Sequence, residues 1–149
     1  MSKHKKTNEP QKWECLNGDH THIRIFRTMY QSEAYKALSL EAREIYRILK
    51  AEYRGTYTDI RNGTDTVICP YSHIAAQGIR RGNISIRLDE LEQLGFITRD
   101  GGGLLNIPNK YKFSDRWKSI GNEEAHAIKK NIEAIKKAKR TKSASSILK

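Results

Sequence analysis

The sequence predicts a mainly helical α+β domain, a three-helix core with a small antiparallel sheet, carrying a basic tail at its N-terminus and a basic helix at its C-terminus. Three observations predict it. Residues 72–94 hold two helical patterns parted by Gly78, the second with Ile84, Leu88, Leu91 and Leu94 at helical spacing, one stripe that packs inward. A longer helical pattern precedes them, with Ala42, Ile45, Ile48, Leu49 and Tyr53 in the same period. Two strand-like runs, residues 96–99 and 110–113, follow on either side of a glycine cluster, as a small hairpin requires.

Taken in order, residues 1–21 form a polar N-terminal tail in which Trp13 is the only large apolar group before Leu16; such a segment cannot bury enough surface to order itself. The domain is placed at residues 22–120. Ile23, Ile25 and Phe26 read as a short extended piece that docks on it. Ser32 is placed to cap a short helix through Leu38, with Glu33 against its dipole. Ser39 then starts the longest core helix, Leu40 to about Arg54, with Glu41 in its first turn and Gly55 at its end. Residues 55–65 are turn-rich and read as a surface loop. Residues 66–69 are β-branched and short, a first strand closed by Pro70.

Ser72 is placed to cap the next helix, around Ile74, Ala75 and Ala76, and Gly78 stands where a left-handed residue would end it. The second helix of the pair runs from about Arg80 to Leu94. Its apolar stripe leaves Arg80, Arg81, Asn83, Ser85, Ile86 and Asp89 pointing elsewhere, the polar ones clustered in the first turn and a half. A helix-turn-helix module needs this arrangement, because the N-terminal end of its second helix enters the major groove. Gly95 stops the helix. Asp100 and Gly101–Gly103 form the tip of the hairpin, and Pro108 suits the start of the return strand. There Tyr111 and Phe113 alternate with Lys110 and Lys112, one face buried and one outward.

These residues resemble the winged helix-turn-helix family of DNA-binding proteins over roughly residues 24–118. The likeness rests on Gly78-Ile79 leading into a polar turn and then Ile84, Leu88 and Leu91. It rests also on the ending Leu91-Glu92-Gln93-Leu94-Gly95-Phe96-Ile97, and on Pro108-Asn109-Lys110-Tyr111-Lys112-Phe113 with Trp117 behind it, which looks like the return strand of a wing. Phe26 and the run from Ser32 to Ser39 look like the leading helices of winged-helix proteins from phages, plasmids and other mobile elements. The resemblance implies binding of double-stranded DNA at a specific site, as a transcriptional regulator or a replication- or transfer-origin binder, with a homodimer on a palindrome as the expected assembly.

Residues 121–149 change character. From Glu123 to Arg140 a stripe of Ala125, Ile128, Ile132 and Ile135 faces away from Lys129, Lys130, Lys136 and Lys137, and Thr141–Lys149 reads as a disordered end. The stripe is a candidate dimer contact, and the core's apolar periodicity looks complete by Trp117. Net charge is +11, of which residues 1–12 hold +3 and residues 123–149 hold +5, leaving +3 for residues 13–122. Both ends are therefore candidate arms on a polyanion.

The candidate DNA contacts are Arg80, Arg81, Asn83, Ser85 and Arg87 on the second helix, since Arg pairs with guanine edges and Asn with adenine. Arg99, Lys110 and Lys112 are candidates for gripping flanking phosphates. An ordinary solvated face accounts for the same polarity, and Arg87 lies at an angle between groove and core. Gly82 either lets the backbone approach DNA or eases the turn. Cys15, His20 and His22, with Cys69 or His73, invite a zinc reading, but their spacing matches no common zinc motif. Tyr35, Tyr46, Tyr53 and Trp117 read as core aromatics rather than base-stacking platforms. No phosphate-cradling loop, nucleophile elbow or apolar carboxylate pair is present, so no enzyme, metal, cofactor or small-molecule ligand is expected. Two cysteines and the lack of an apolar signal or a ~20-residue apolar span point to a cytoplasmic protein that does not enter membranes. The competing reading is an interaction module, with the domain as a docking surface and the basic ends touching RNA or DNA without sequence preference.

Overall fold

Ser39 decides where a thirteen-residue core helix begins. In a computed structural model that describes residues 23–54, 57–63, 65–100 and 109–147, its Oγ accepts from the backbone N–H of Ala42 at 3.2 Å and caps α3, Leu40–Glu52. Ser32 does the same for α2, Glu33–Ala37, accepting from Tyr35 N at 3.1 Å. Each hydroxyl satisfies one of the amide donors that a helix start leaves free. A short α1, Arg27–Gln31, precedes them and buries Met29. Of the leading segment expected to dock, Ile23 is half-buried while Ile25 and Phe26 are exposed, Phe26 at 57%.

Residues 57–62 are not loop but a short helix, α4, Tyr57–Asn62, ended by Gly63 at φ +69°. Strand β1 is Val67–Ile68, and α5 spans Tyr71–Ala76. Its cap is Pro70, not Ser72. The Pro70 carbonyl accepts from His73 and Ile74, and a proline at the edge of a helix gives up an amide that has no partner there anyway. Gly78, at φ +100°, ends α5 with nothing near its Cα side, so backbone conformation alone calls for glycine there.

The helix α6, Arg81–Gln93, closes on a complete Schellman motif. Phe96 N donates to Leu91 O at 2.9 Å and Gly95 N to Glu92 O at 3.1 Å, the paired bonds that satisfy the last carbonyls. Gly95 combines φ +81° with a close approach: an added Cβ would stand 2.6 Å from the backbone N of Trp117. The Arg116 guanidinium covers the same helix end, donating to Glu92 O at 2.8 Å and Gln93 O at 2.6 Å.

Strands β2, Ile97–Asp100, and β3, Lys110–Phe113, pair antiparallel, and β1 joins the outer side of β3. Among the described residues the fold is thus seven α-helices and one three-stranded antiparallel sheet, mainly α as expected. Phe96 sits at the centre. Its ring meets Tyr46 edge-on at 5.5 Å and Tyr35 at 6.2 Å, and stacks on Trp117 at 6.1 Å. Tyr35, Tyr46 and Trp117 are core residues, with Tyr53 packed at the margin.

Past a 3-10 turn, Arg116–Ser119, the chain enters α7, Asn122–Ile147, which packs on α2 and α6. Two expectations fall here. The end of the chain is helical through Ile147 rather than disordered. The core is not complete at Trp117 either: Ile120 and Ala125 belong to it, Ile128 packs on it and Ile132 is buried. The apolar stripe of α7 is used within its own chain, with Ala125 and Ile132 buried, Ile128 half-buried and only Ile135 of the four exposed, so it does not stand free for a dimer. The expectations for the N-terminal tail, for Gly55, for Gly101–Gly103 and for Pro108 lie outside the described residues. No helix among the described residues is long and apolar enough to cross a membrane.

Removing residues 122–149 is therefore expected to lower stability by about 3–5 kcal/mol, at roughly 1.5–3 kcal/mol per well-buried large aliphatic side chain. Urea denaturation of the truncated chain checks this, and an unshifted midpoint would contradict the packing of α7.

Candidate nucleic-acid interface

An α-helix of thirteen residues carries a partial positive charge at its start, which acidic or capping side chains normally offset. The start of α6 has neither. Its N-cap is Arg80, with no side-chain cap, and no acid stands in the first turn. Arg80, Arg81 and Gly82 are exposed, and neither arginine joins an ion pair among the described residues. Two cations and free first-turn amides thus project together from one helix end.

The next candidates are drawn inward. Asn83 is half-buried and its Nδ2 donates to Glu41 Oε1 at 3.3 Å. Ser85 is half-buried on the same side of α6 as Arg81 and Asp89, one turn apart in each case. Arg87 is no surface group at all. Its side chain is 8% exposed, donates through Nη1 to Glu90 Oε2 at 3.0 Å and has Nε 3.7 Å from Glu41 Oε2. The reason is geometric: α7 lies across this side of α6, and Arg87 and Glu90 line a small cavity there with Ser39, Lys129 and Ile132. Ile86, expected to point away from the core, is buried for the same reason, at 2% exposure.

Glu90 is the hub of that buried cluster. Its carboxylate accepts from the backbone N–H of Ser39 at 2.5 Å and from Ser39 Oγ at 2.9 Å. In a capping box the acid three residues into a helix reaches back to the cap's own N–H. In α3 that position is Ala42, and an acid from α6, 51 residues away in sequence, takes its place.

Arg99 is occupied too. Its Nη2 donates to Asp89 Oδ1 at 2.5 Å and to Glu92 Oε2 at 2.6 Å, and its Nε to Glu92 Oε2 at 2.9 Å. It therefore offsets one of the two negative charges on the acidic half of the exposed α6 line rather than standing free for a phosphate. Lys110 and Lys112 lie on the other face of the sheet: Arg99 pairs across strands with buried Tyr111, while Lys112 pairs with Thr98 and Lys110 with Asp100, and partners across strands share a face. Lys110 is exposed; Lys112 is half-buried and its Nζ donates to Gly63 O at 2.7 Å. The structure thus brings Arg80, Arg81 and Ser85 to one surface and sets Lys110 and Lys112 on another. Sequence reasoning missed Arg116 and Glu90, and only the long-range pairing reveals either.

Of the metal candidates, Cys15, His20 and His22 lie outside the described residues. Cys69 is buried, and burial with the nearby Glu52 carboxylate pushes its thiol up to about 11, away from the thiolate a metal takes. His73 Nε2 lies 3.0 Å from Glu52 Oε1. The described residues hold no group of three or more metal-ligating side chains. No protein-family model matches the chain, and neither a curated protein nor a solved structure matches it.

Glu90→Gln is expected to cost roughly 1–3 kcal/mol, because it leaves the buried Arg87 with only the more distant Glu41 carboxylate as counter-charge and weakens the cap of α3. Thermal or urea unfolding measures it; a loss under about 1 kcal/mol would show that water reaches Arg87.

Proposed function

We propose that the protein binds double-stranded DNA at a specific sequence, with the start of α6 in the major groove and the β2–β3 hairpin as a wing beside it. One observation carries this reading: a helix start that places two unpaired arginines where ordinary helix energetics favours an acid. Cations there cost the helix about 0.3–1 kcal/mol each. A phosphate or a guanine edge, with its two acceptors, offsets that cost. The turn at Gly78, the position of α6 after α5 and the hairpin that follows support a winged helix-turn-helix reading of the fold. The sheet face with Lys110 is the part of the hairpin that reaches a flanking phosphate. A role as a regulator or origin binder in the cytoplasm, of the kind that mobile elements use, is consistent with this arrangement.

A docking module is the second reading, and a specific feature favours it. Phe26 at 57%, Tyr30 at 64% and Leu40 at 79% exposure leave apolar surface near the starts of α1 and α3. Selection of bound sequences from a randomised duplex pool separates the two. A recovered consensus supports groove reading, and binding without preference at physiological salt transfers weight to docking.

On a recovered site, Arg81→Ala is expected to cost about 1–3 kcal/mol and to relax one base position. An equal loss on cognate and random duplexes would mean a phosphate contact instead. Arg99→Ala should weaken binding by about 1 kcal/mol, by exposing Asp89 and Glu92 to the DNA charge. Adding Asp89→Asn and Glu92→Gln to that variant should restore affinity; failure to restore it would make Arg99 itself the contact.

A further inference from the structure

The face of α7 that touches the domain changes chemistry where the helix leaves it. Ala125 and Ile132 are buried and Ile128 is half-buried, while residues 137–147 are all exposed. At about 100° per residue, Lys136, Lys139 and Arg140 continue the face on which Ala125, Lys129 and Ile132 meet the domain. Lys130, Lys137 and Lys142 fall outside it. Residues 136–147 hold five Lys or Arg and no Asp or Glu, and none of the five joins an ion pair among the described residues.

Direction follows from two contacts. The chain passes the C-terminal end of α6 at Trp117, whose N–H donates to Gly95 O at 3.1 Å. Further along, Lys129, Ile132 and Glu133 line the same cavity as Arg87 and Glu90, in the middle of α6. So α7 runs back along α6, against its direction, and its basic end emerges on the side of the α6 start, where Arg80 and Arg81 project.

We infer that residues 136–142 are a phosphate-gripping arm that lies on the same duplex as the start of α6, with Lys136, Lys139 and Arg140 turned to the DNA. The inference rests on the DNA-binding reading and adds to it a second contact region. Residues 136–142 span about 10 Å at 1.5 Å per residue. That matches about three base pairs at 3.4 Å per step. Lys136 stands three and four residues from Lys139 and Arg140, a spacing at which like charges repel along a helix. A row of phosphates turns that repulsion into attraction. The docked half of α7 supplies the helical nucleus, so the arm extends without having to nucleate alone.

The test compares the full-length protein with two triple variants that remove equal charge: K136Q/K139Q/R140Q on the inner face and K130Q/K137Q/K142Q on the outer. Gln keeps the helix propensity of Lys and Arg. Binding to one 30-base-pair random duplex is measured by fluorescence anisotropy across a salt series, with circular dichroism confirming the fold. The inner triple is expected to flatten the plot of log K against log salt by about 2–3, since each phosphate that the arm no longer neutralises lowers the slope by about 0.9. The outer triple is expected to flatten it by less than about 1. Equal flattening by both overturns the oriented arm and leaves only bulk charge. Wild-type slope in the inner triple overturns any grip by the arm, with the α6 reading intact. Absence of duplex binding by the unaltered protein overturns the DNA reading and the arm together.

Discussion

The carboxylate of Glu90 fixes how the core helices α3 and α6 meet. It belongs to α6 but caps α3, taking the Ser39 N–H and hydroxyl, and it holds Arg87 in an environment where an unpaired cation would be costly. Apolar packing of Ile84, Leu88 and Leu91 against α3 permits sliding and rotation by small amounts, because such contacts have little direction. Hydrogen bonds to a helix cap do not. Through Glu90 the start of α3 and the middle of α6 are registered against each other, and Asn83 and Arg87, both near Glu41, extend that registration toward the first turn of α6. The exposed arginines thus sit on a helix whose rotation about its own axis is set from the buried side.

The opposite side of α6 shows how charge is apportioned. Along its exposed line the sequence runs Arg81, Ser85, Asp89, Glu92, from basic to acidic. Left alone, Asp89 and Glu92 would repel a polyanion that the first turn attracts. Arg99, from the neighbouring strand, takes both carboxylates at 2.5–2.6 Å. The result is a surface positive at one end and, with one of its two negative charges offset, only weakly acidic at the other. A groove binder needs that profile, since the recognition helix enters end-on.

Much of this was legible in the residues. Ser32 and Ser39 cap where their spacing from the following helices puts them, Gly78 and Gly95 take positive φ where the periodic stripes stop, and the alternation of Tyr111 and Phe113 with lysines sorts the faces of β3. What was not legible depends on which surface covers which. Arg87 and Arg99 look like free cations in sequence because their partners Glu41, Glu90, Asp89 and Glu92 are chosen by tertiary packing. For Arg87 the covering helix begins only at Asn122. Ser72 lies inside α5 rather than capping it, because the helix already begins at Tyr71, with the Pro70 carbonyl taking the amides of His73 and Ile74. The stripe of α7 announced an amphipathic helix but not its occupant, since a row of isoleucines at helical spacing fits a partner chain or its own domain equally well.

That ambiguity has a structural resolution with a functional consequence. A basic tail joined by flexible chain samples a large volume, and its phosphate contacts must offset the entropy of ordering it on each encounter. A basic segment continuous with a docked helix is already aimed. The buried side chains Ala125 and Ile132 hold the first half of α7 on α2 and α6, and α-helical hydrogen bonds carry that orientation into the half that extends past the domain. On the proposed reading, stability and polyanion contact are coupled in one element: a change that loosens Ile132 also releases the aim of Lys136, Lys139 and Arg140. A duplex engaging the proposed arm would in turn stabilise the docked end by mass action.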